Sequence, residues 1–247
     1  MNNASNRTVE LMGLNIFDGI ETDIIFGSGK VINTINPYSY MVSLEDPIFL
    51  KALISGDYLI PDGVGITLAA RILKRKKLKR ITGPNLMDIA LSIANKNKEK
   101  VFFFGSTPEV LKLISKRLLI EFPNIKFKTY SPPFGNEFSS EEQEKITFKI
   151  NSFSPDHLFV GMTAPKQEKW VFNSQEALNC KKIYSVGAAF DWFAGSKIRP
   201  PLFLERAGLG FIFRLILEPR MWSRQKFNVF FLFRVLRMKF FESSNNT

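Results

Sequence analysis

Between Val31 and Val186, short apolar runs alternate with stretches of helical periodicity, and this alternation constrains the fold more than any other feature. Runs such as Val101-Phe102-Phe103-Phe104 show no polar alternation, so they read as strands covered on both faces. Strands are expected at 31–36, 58–60, 101–105, 125–130, 157–162 and 183–186. Helices are expected at 38–55, after Asp62, and at 85–96, 107–122, 141–152 and 167–177. Buried strands alternating with helices predict an α/β fold: a Rossmann-like, doubly wound, mainly parallel sheet. Residues 8–26, broken by Gly13 and Gly19, read as an early hairpin or edge strands.

In such a sheet the segments that follow strands collect along the carboxyl edge, where these folds bind ligands. Here those segments are polar or glycine-bearing: Thr34-Ile35-Asn36, Asp62-Gly63, Gly105-Ser106-Thr107, 161–167 and 187–191. Tyr58-Leu59-Ile60-Pro61-Asp62-Gly63-Val64-Gly65 presents a lone carboxylate at a strand end, with glycines that permit a sharp turn and close ligand approach. Asp62 is therefore the first candidate for chemistry, against the plainer reading of a helix cap. Phe26-Gly27-Ser28-Gly29-Lys30 has the wrong spacing for a phosphate loop, and Val31 stands where Ser or Thr is needed.

Composition narrows the chemistry. Lys and Arg exceed Asp and Glu by 34 to 23, a net charge of +11 that favours anionic partners. Cys180 and His157 are the only residues of their types, which excludes zinc clusters and makes Ser-His-Asp or Cys-His catalysis a poor fit. His157, after Ser-Pro-Asp, reads as a surface residue at a strand entry. The polar amino terminus does not read as a signal peptide, and nowhere do 18 uncharged apolar residues run together.

Beyond Gly195 the character changes. Residues 197–247 hold ten Lys or Arg against three Asp or Glu and nine of the 25 Phe, so the chain divides into a 1–196 α/β core and a 197–247 appendage. Residues 224–241 are too apolar for a solvated helix and too charged to span a bilayer. They suit a helix lying on an anionic membrane with snorkelling cations, against the alternative of packing on the chain's own core. A second basic run, 74–80, reads as a solvated loop able to touch head groups or phosphates.

Together these segments resemble the WecG/TagA/CpsF family of bacterial glycosyltransferases. The matching pieces include Thr34-Ile35-Asn36, 61–65, 80–87, 104–106, Gly161 to Glu168, 186–191, and the terminal 199–220 stretch, in family order. The resemblance implies an inverting, metal-independent hexosyltransferase with no cofactor. It would move a sugar from a UDP-sugar to a polyprenyl-diphosphate-linked sugar at the cytoplasmic membrane face, for teichoic acid, capsule or exopolysaccharide. It implies Asp62 as base with Thr34 and Asn36 beside it. Arg80 and Gln167 match active-site positions, and Arg214, Arg220 and Arg224 match arginines of the appendage. Gly105 and Asp191 join them as substrate-binding candidates. Asn85 stands where relatives often carry Asp and receives no role, and the 19–31 segment looks too short for the helix that relatives carry there.

The chemistry agrees: one carboxylate suffices to take a proton from an acceptor hydroxyl. No Asp-x-Asp triplet is present, and arginines can hold a diphosphate through charge-assisted bonds. The expected partners are the donor, the lipid-linked acceptor and an anionic membrane met through 200–241. Nucleic acid is not among them, since no RNA-binding motif accompanies the charges, and self-association into a homo-oligomer stays open. The competing reading is a non-enzymatic, membrane-associated nucleotide- or phospholipid-binding module.

Overall fold

In the computed structural model, which describes residues 7–133, 135, 138–201, 204, 210–217 and 222–244, the alternating runs form one wholly parallel six-stranded sheet. Its strands are β3 (Val31–Ile35), β4 (Tyr58–Pro61), β5 (Lys100–Gly105), β6 (Lys126–Tyr130), β7 (His157–Gly161) and β8 (Lys182–Ser185), in the order β4-β3-β8-β7-β5-β6. A separate hairpin, β1 (Thr8–Leu11) and β2 (Leu14–Phe17), precedes them as expected.

Both faces of the sheet are covered, which is why its strands are continuous apolar runs. Phe103 and Phe159 pack with α5 (Gly83–Asn97) and α6 (Pro108–Glu121), whereas Phe104 and Val160 pack with α7 (Ser140–Asn151) and α8 (Lys166–Ser174). The chain leaves β5 towards β6 through α6, on one face. It leaves β7 towards β8 through α8, on the other. The winding direction therefore switches between β5 and β7, at the paired residues Gly105 and Gly161.

Three sequence expectations are corrected. The single helix expected at 38–55 is two, α2 (Pro37–Glu45) and α3 (Pro47–Ile54). Asp46 ends the first through its N–H and caps the second, Oδ1 accepting from Phe49 N at 3.0 Å, and Pro47 fits a first helical position where no N–H is needed. The 19–31 segment does hold a short helix, α1 (Glu21–Phe26).

His157 is buried, not a surface residue. Its Nδ1 meets the Tyr184 hydroxyl at 2.9 Å and its Nε2 meets Glu99 Oε2 at 3.0 Å, and burial holds its pKa below the usual value. The basic run is the exposed loop that was expected, and within it Lys74, Lys76 and Lys79 reach Glu10, Asp18 and Glu21 of the amino-terminal segment in surface ion pairs.

Past α9 (Ala189–Phe193), the described tail comprises α10 (Gly210–Leu217) and α11 (Trp222–Ser244). Helix α11 packs on α2 and on α4 (Val64–Lys74), burying Phe231 and Val235 in a cluster with Ile35, Tyr40, Ile66 and Ala69. Tyr38–Phe227 and Tyr40–Phe231 meet edge to face, and Arg234 Nε donates to the Tyr40 hydroxyl at 3.3 Å. The outer side is exposed, with Val229, Leu232, Phe233, Leu236 and Phe240 at helical spacing beside Lys226 and Arg237. One side of this helix thus packs on its own core and the other lies open. No helix among the described residues is long and apolar enough to cross a membrane.

Candidate active site

The turn after β4 is built by short-range rules. Asp62 N–H donates to Ile35 O at 2.9 Å, prolonging the β3–β4 ladder by one residue, and Gly63 then turns with φ +134°, a conformation that a side chain would strain. Gly65 lets two helix starts meet: a Cβ there would lie 2.4 Å from Pro37 Cγ and 3.6 Å from Phe231 Cε1. Asn36 is occupied locally, its Oδ1 accepting from Ser39 N at 3.0 Å as the cap of α2. Thr34 lies in β3, nearly buried, directly opposite Ile60.

Arg80 reaches the same place because 80–82 lies along the carboxyl end of β4. Ile81 N–H donates to Pro61 O at 3.1 Å and Ile81 is wholly buried. In an extended segment its neighbours turn the other way. Arg80 and Thr82 accordingly line a cavity of about 410 Å³ together with Asn36, Asp62 and Trp192. The remaining wall is mostly apolar, from one face of α4 and the inner face of α11.

Gly105 and Gln167 lie further along the sheet edge. A Cβ on Gly105 would come 2.6 Å from Gly161 O, so the ends of β5 and β7 sit backbone to backbone. Gln167 is buried and engaged at both ends: Oε1 accepts from Gly187 N at 3.0 Å, and Nε2 donates to Glu168 Oε1 at 2.8 Å. Gln167 thereby braces the loop after β7 to the loop after β8. Asp191 pairs with Lys197 at 3.0 Å. Arg214 and Arg224 fall within α10 and α11, but their side chains, and Arg220 altogether, lie outside the described residues.

Two residues given no role by sequence take one here. Glu168 is fully buried; burial pushes its carboxyl up to about 7, against the bond from Gln167, and Oε2 finds no hydrogen-bond partner. An acid one position beyond a candidate polar residue on a helix was the available signal. Asn85 Oδ1 accepts from Arg199 Nη2 while Asp88 takes Nη1 at 3.1 Å, anchoring the start of the appendage to α5. Burial raises the Asp88 pKa and the Arg199 guanidinium opposes it. Among the described residues no three His, Cys, Asp or Glu side chains gather as a metal site.

A carboxylate and an arginine lining the same mostly apolar cavity, on the carboxyl edge of a parallel sheet, suit proton abstraction from an amphiphilic substrate. The comparisons agree. Residues 11–245 match the model of the glycosyl transferase WecG/TagA/CpsF family. The N-acetylglucosaminyldiphosphoundecaprenol N-acetyl-beta-D-mannosaminyltransferase of Bacillus subtilis (strain 168) is 30% identical over 196 residues, 79% of this chain and 75% of that protein. The protein of the same name from Staphylococcus aureus (strain MRSA252) is 31% identical over 208 residues, 84% of this chain and 80% of its own length.

Proposed function

From the premise that this chain belongs to the WecG/TagA/CpsF family of glycosyl transferases, we propose that it moves N-acetylmannosamine or a related hexose from a UDP-sugar to a polyprenyl-diphosphate-linked sugar. Family membership also removes the non-enzymatic reading: the chain is a glycosyltransferase. The observation that carries the substrate assignment is the Asp62 turn, which opens with Arg80 into a cavity of largely apolar wall, the setting for a lipid-linked acceptor.

In the proposed reaction the acceptor hydroxyl oxygen attacks the anomeric carbon from the side opposite UDP, and its proton passes to the Asp62 carboxylate. The bond from anomeric carbon to phosphate oxygen breaks, and its electron pair leaves with UDP. Configuration inverts because a single displacement occurs. Arg214, Arg220 and Arg224 are proposed to hold the diphosphate charge of the departing UDP through bonds to guanidinium, while Arg80 stands at the active site beside the base. The donor is placed along the strand ends from Gly105 to Asp62. Those strands are four steps apart in the sheet, roughly 19 Å at about 4.8 Å per strand, the scale of an extended sugar nucleotide. Thr34 from β3 and Asn36 from the cap of α2 shape the base's surroundings, and Gln167 does so through Gly187.

The site is proposed to work on the inner face of the cell membrane. The outer side of α11, with Phe233 67% and Phe240 73% exposed on a helix that also carries the exposed Lys226 and Arg237, supports this placement, and residues 197–247 act as the membrane-meeting unit.

The test is UDP release from UDP-N-acetylmannosamine in the presence of a polyprenyl-diphosphate-linked N-acetylglucosamine. Asp62→Asn is expected to lower kcat by about 10²–10⁴ with the fold intact. Activity retained in Asp62→Asn removes Asp62 as the base.

A further inference from the structure

The cavity is divided in its chemistry. Asp62, Arg80 and Thr82 supply its charged and hydroxyl groups and Gln225 and Asn228 of α11 its amides, whereas Leu68 and Ile72 of α4 with Phe231, Leu232 and Val235 of α11 form an apolar wall. The apolar wall is unsuited to a nucleotide diphosphate, because taking charged oxygens out of water without donors costs several kcal/mol. The whole cavity, at about 410 Å³, is nevertheless within the range that encloses an organic ligand. Polar backbone and tight glycine contacts lie instead at the β5–β7 switch, away from this wall.

The apolar wall also does not end at the cavity. Leu232 lines it and is 45% exposed, and it belongs to the outward stripe with Val229, Phe233 and Leu236. Leu68, 42% exposed, forms the facing lip on α4. Apolar side chains of α4 and α11 thus extend from the cavity wall through Leu232 to the open face of α11.

We propose that the space between α4 and α11 is a subsite for the lipid of the acceptor, seating the first isoprenyl units of a polyprenyl diphosphate with the diphosphate at Arg80. The remaining chain leaves past Leu232 along the stripe of α11. This assignment rests on the acceptor class proposed above and adds where the lipid lies. It gives α11 a part in binding substrate and separates the acceptor, on the α4 side of Asp62, from the donor along the strand ends.

The experiment is calorimetric titration of the full chain with farnesyl diphosphate and, separately, with inorganic diphosphate. Farnesyl diphosphate is expected to bind at least about tenfold more tightly, with a negative heat-capacity change from apolar burial. Ile72→Phe narrows the cavity and Leu232→Asp places a carboxylate in its wall. Each is expected to remove that preference while leaving affinity for inorganic diphosphate and for UDP within about twofold of wild type. Ile72 belongs to the cavity and not to the stripe on α11, so loss in Ile72→Phe separates enclosed binding from adsorption on the exposed helix face. Equal affinities for the two probes, or a preference that survives Ile72→Phe, overturns the proposal. Because binding is read without turnover, a chain that shows the prenyl preference but transfers no sugar would sink the proposed reaction and leave the subsite standing.

Discussion

Replacing Glu168 by Gln should flatten the pH dependence of stability in a defined window. Glu168 is fully buried and its carboxyl titrates near 7 in the folded chain, against an ordinary value of 4.5. Between those values the folded chain binds more protons than the unfolded chain, so stability falls as pH rises, and the loss is complete above about 7. The displacement of about 2.5 units corresponds to about 3 kcal/mol, of which roughly 2–3 kcal/mol falls between pH 5 and 8. His157 works in the opposite sense: its folded pKa lies below 6.5, so its contribution is present above 6.5 and lost on acidification. Wild type alone therefore gives a mixed slope, and the difference between wild type and Glu168→Gln isolates the carboxyl.

Glutamine keeps an oxygen for Gln167 Nε2, so the brace to Gly187 persists. Urea unfolding at pH 5, 6, 7 and 8, with the slope against urea checked for constancy, supplies the comparison. The wild-type advantage over the variant is expected to shrink by roughly 2–3 kcal/mol from pH 5 to pH 8. A difference that stays constant across the window refutes a buried neutral carboxyl at this position.

Two further substitutions probe how the site is held. Gly65→Ala puts a methyl 2.4 Å from Pro37 Cγ, so α4 or α2 must shift; about 1–3 kcal/mol of stability and most of the transferase rate should be lost, read by thermal melting and UDP release. Phe231→Ala removes a buried ring from the α11 contact, worth about 3–5 kcal/mol in a well-packed core. Amide exchange across 222–244 should accelerate well beyond that of β5 and β7, and equal acceleration everywhere would show that the helix is not a separately docked unit.

The parallel sheet was legible because strands buried on both faces leave unbroken apolar runs, and every predicted strand from β3 to β8 lies within a residue or so of its expected bounds. The break at Asp46–Pro47 was also written in the chain, as a cap followed by a proline, but the apolar periodicity on either side concealed it. His157 was misread for a different reason. Its partners, Tyr184 and Glu99, lie 27 and 58 residues away, and nothing local to Ser-Pro-Asp-His reports them. The exposed loop 75–80 was legible from its run of charge, but not the ion pairs that Lys74, Lys76 and Lys79 make with Glu10, Asp18 and Glu21, far away in sequence. Of the site, Asp62 and its glycines were visible as a turn, whereas the apolar wall opposite was not. Composition shows that 224–241 is apolar almost all round, but only packing shows that Phe231 and Val235 turn inward while Val229, Phe233 and Phe240 turn out.

That division fits a tail too apolar for water and too charged for a bilayer: one side of the helix is buried on the core, and the exposed side is the one proposed to meet the membrane. It also ties the tail to the chemistry through a single backbone position. The hydrogen of Gly65 occupies the point where a methyl would strike Pro37 of α2 and touch Phe231 of α11. Asp62 lies three residues before that point, on the turn that opens α4. Packed interiors yield little to displacement, so a shift of α11 is felt at the start of α4 and hence in the aim of the carboxylate. Docking of the helix and geometry of the proposed base are then one mechanical problem. Lipid seated between α4 and α11 would act on both.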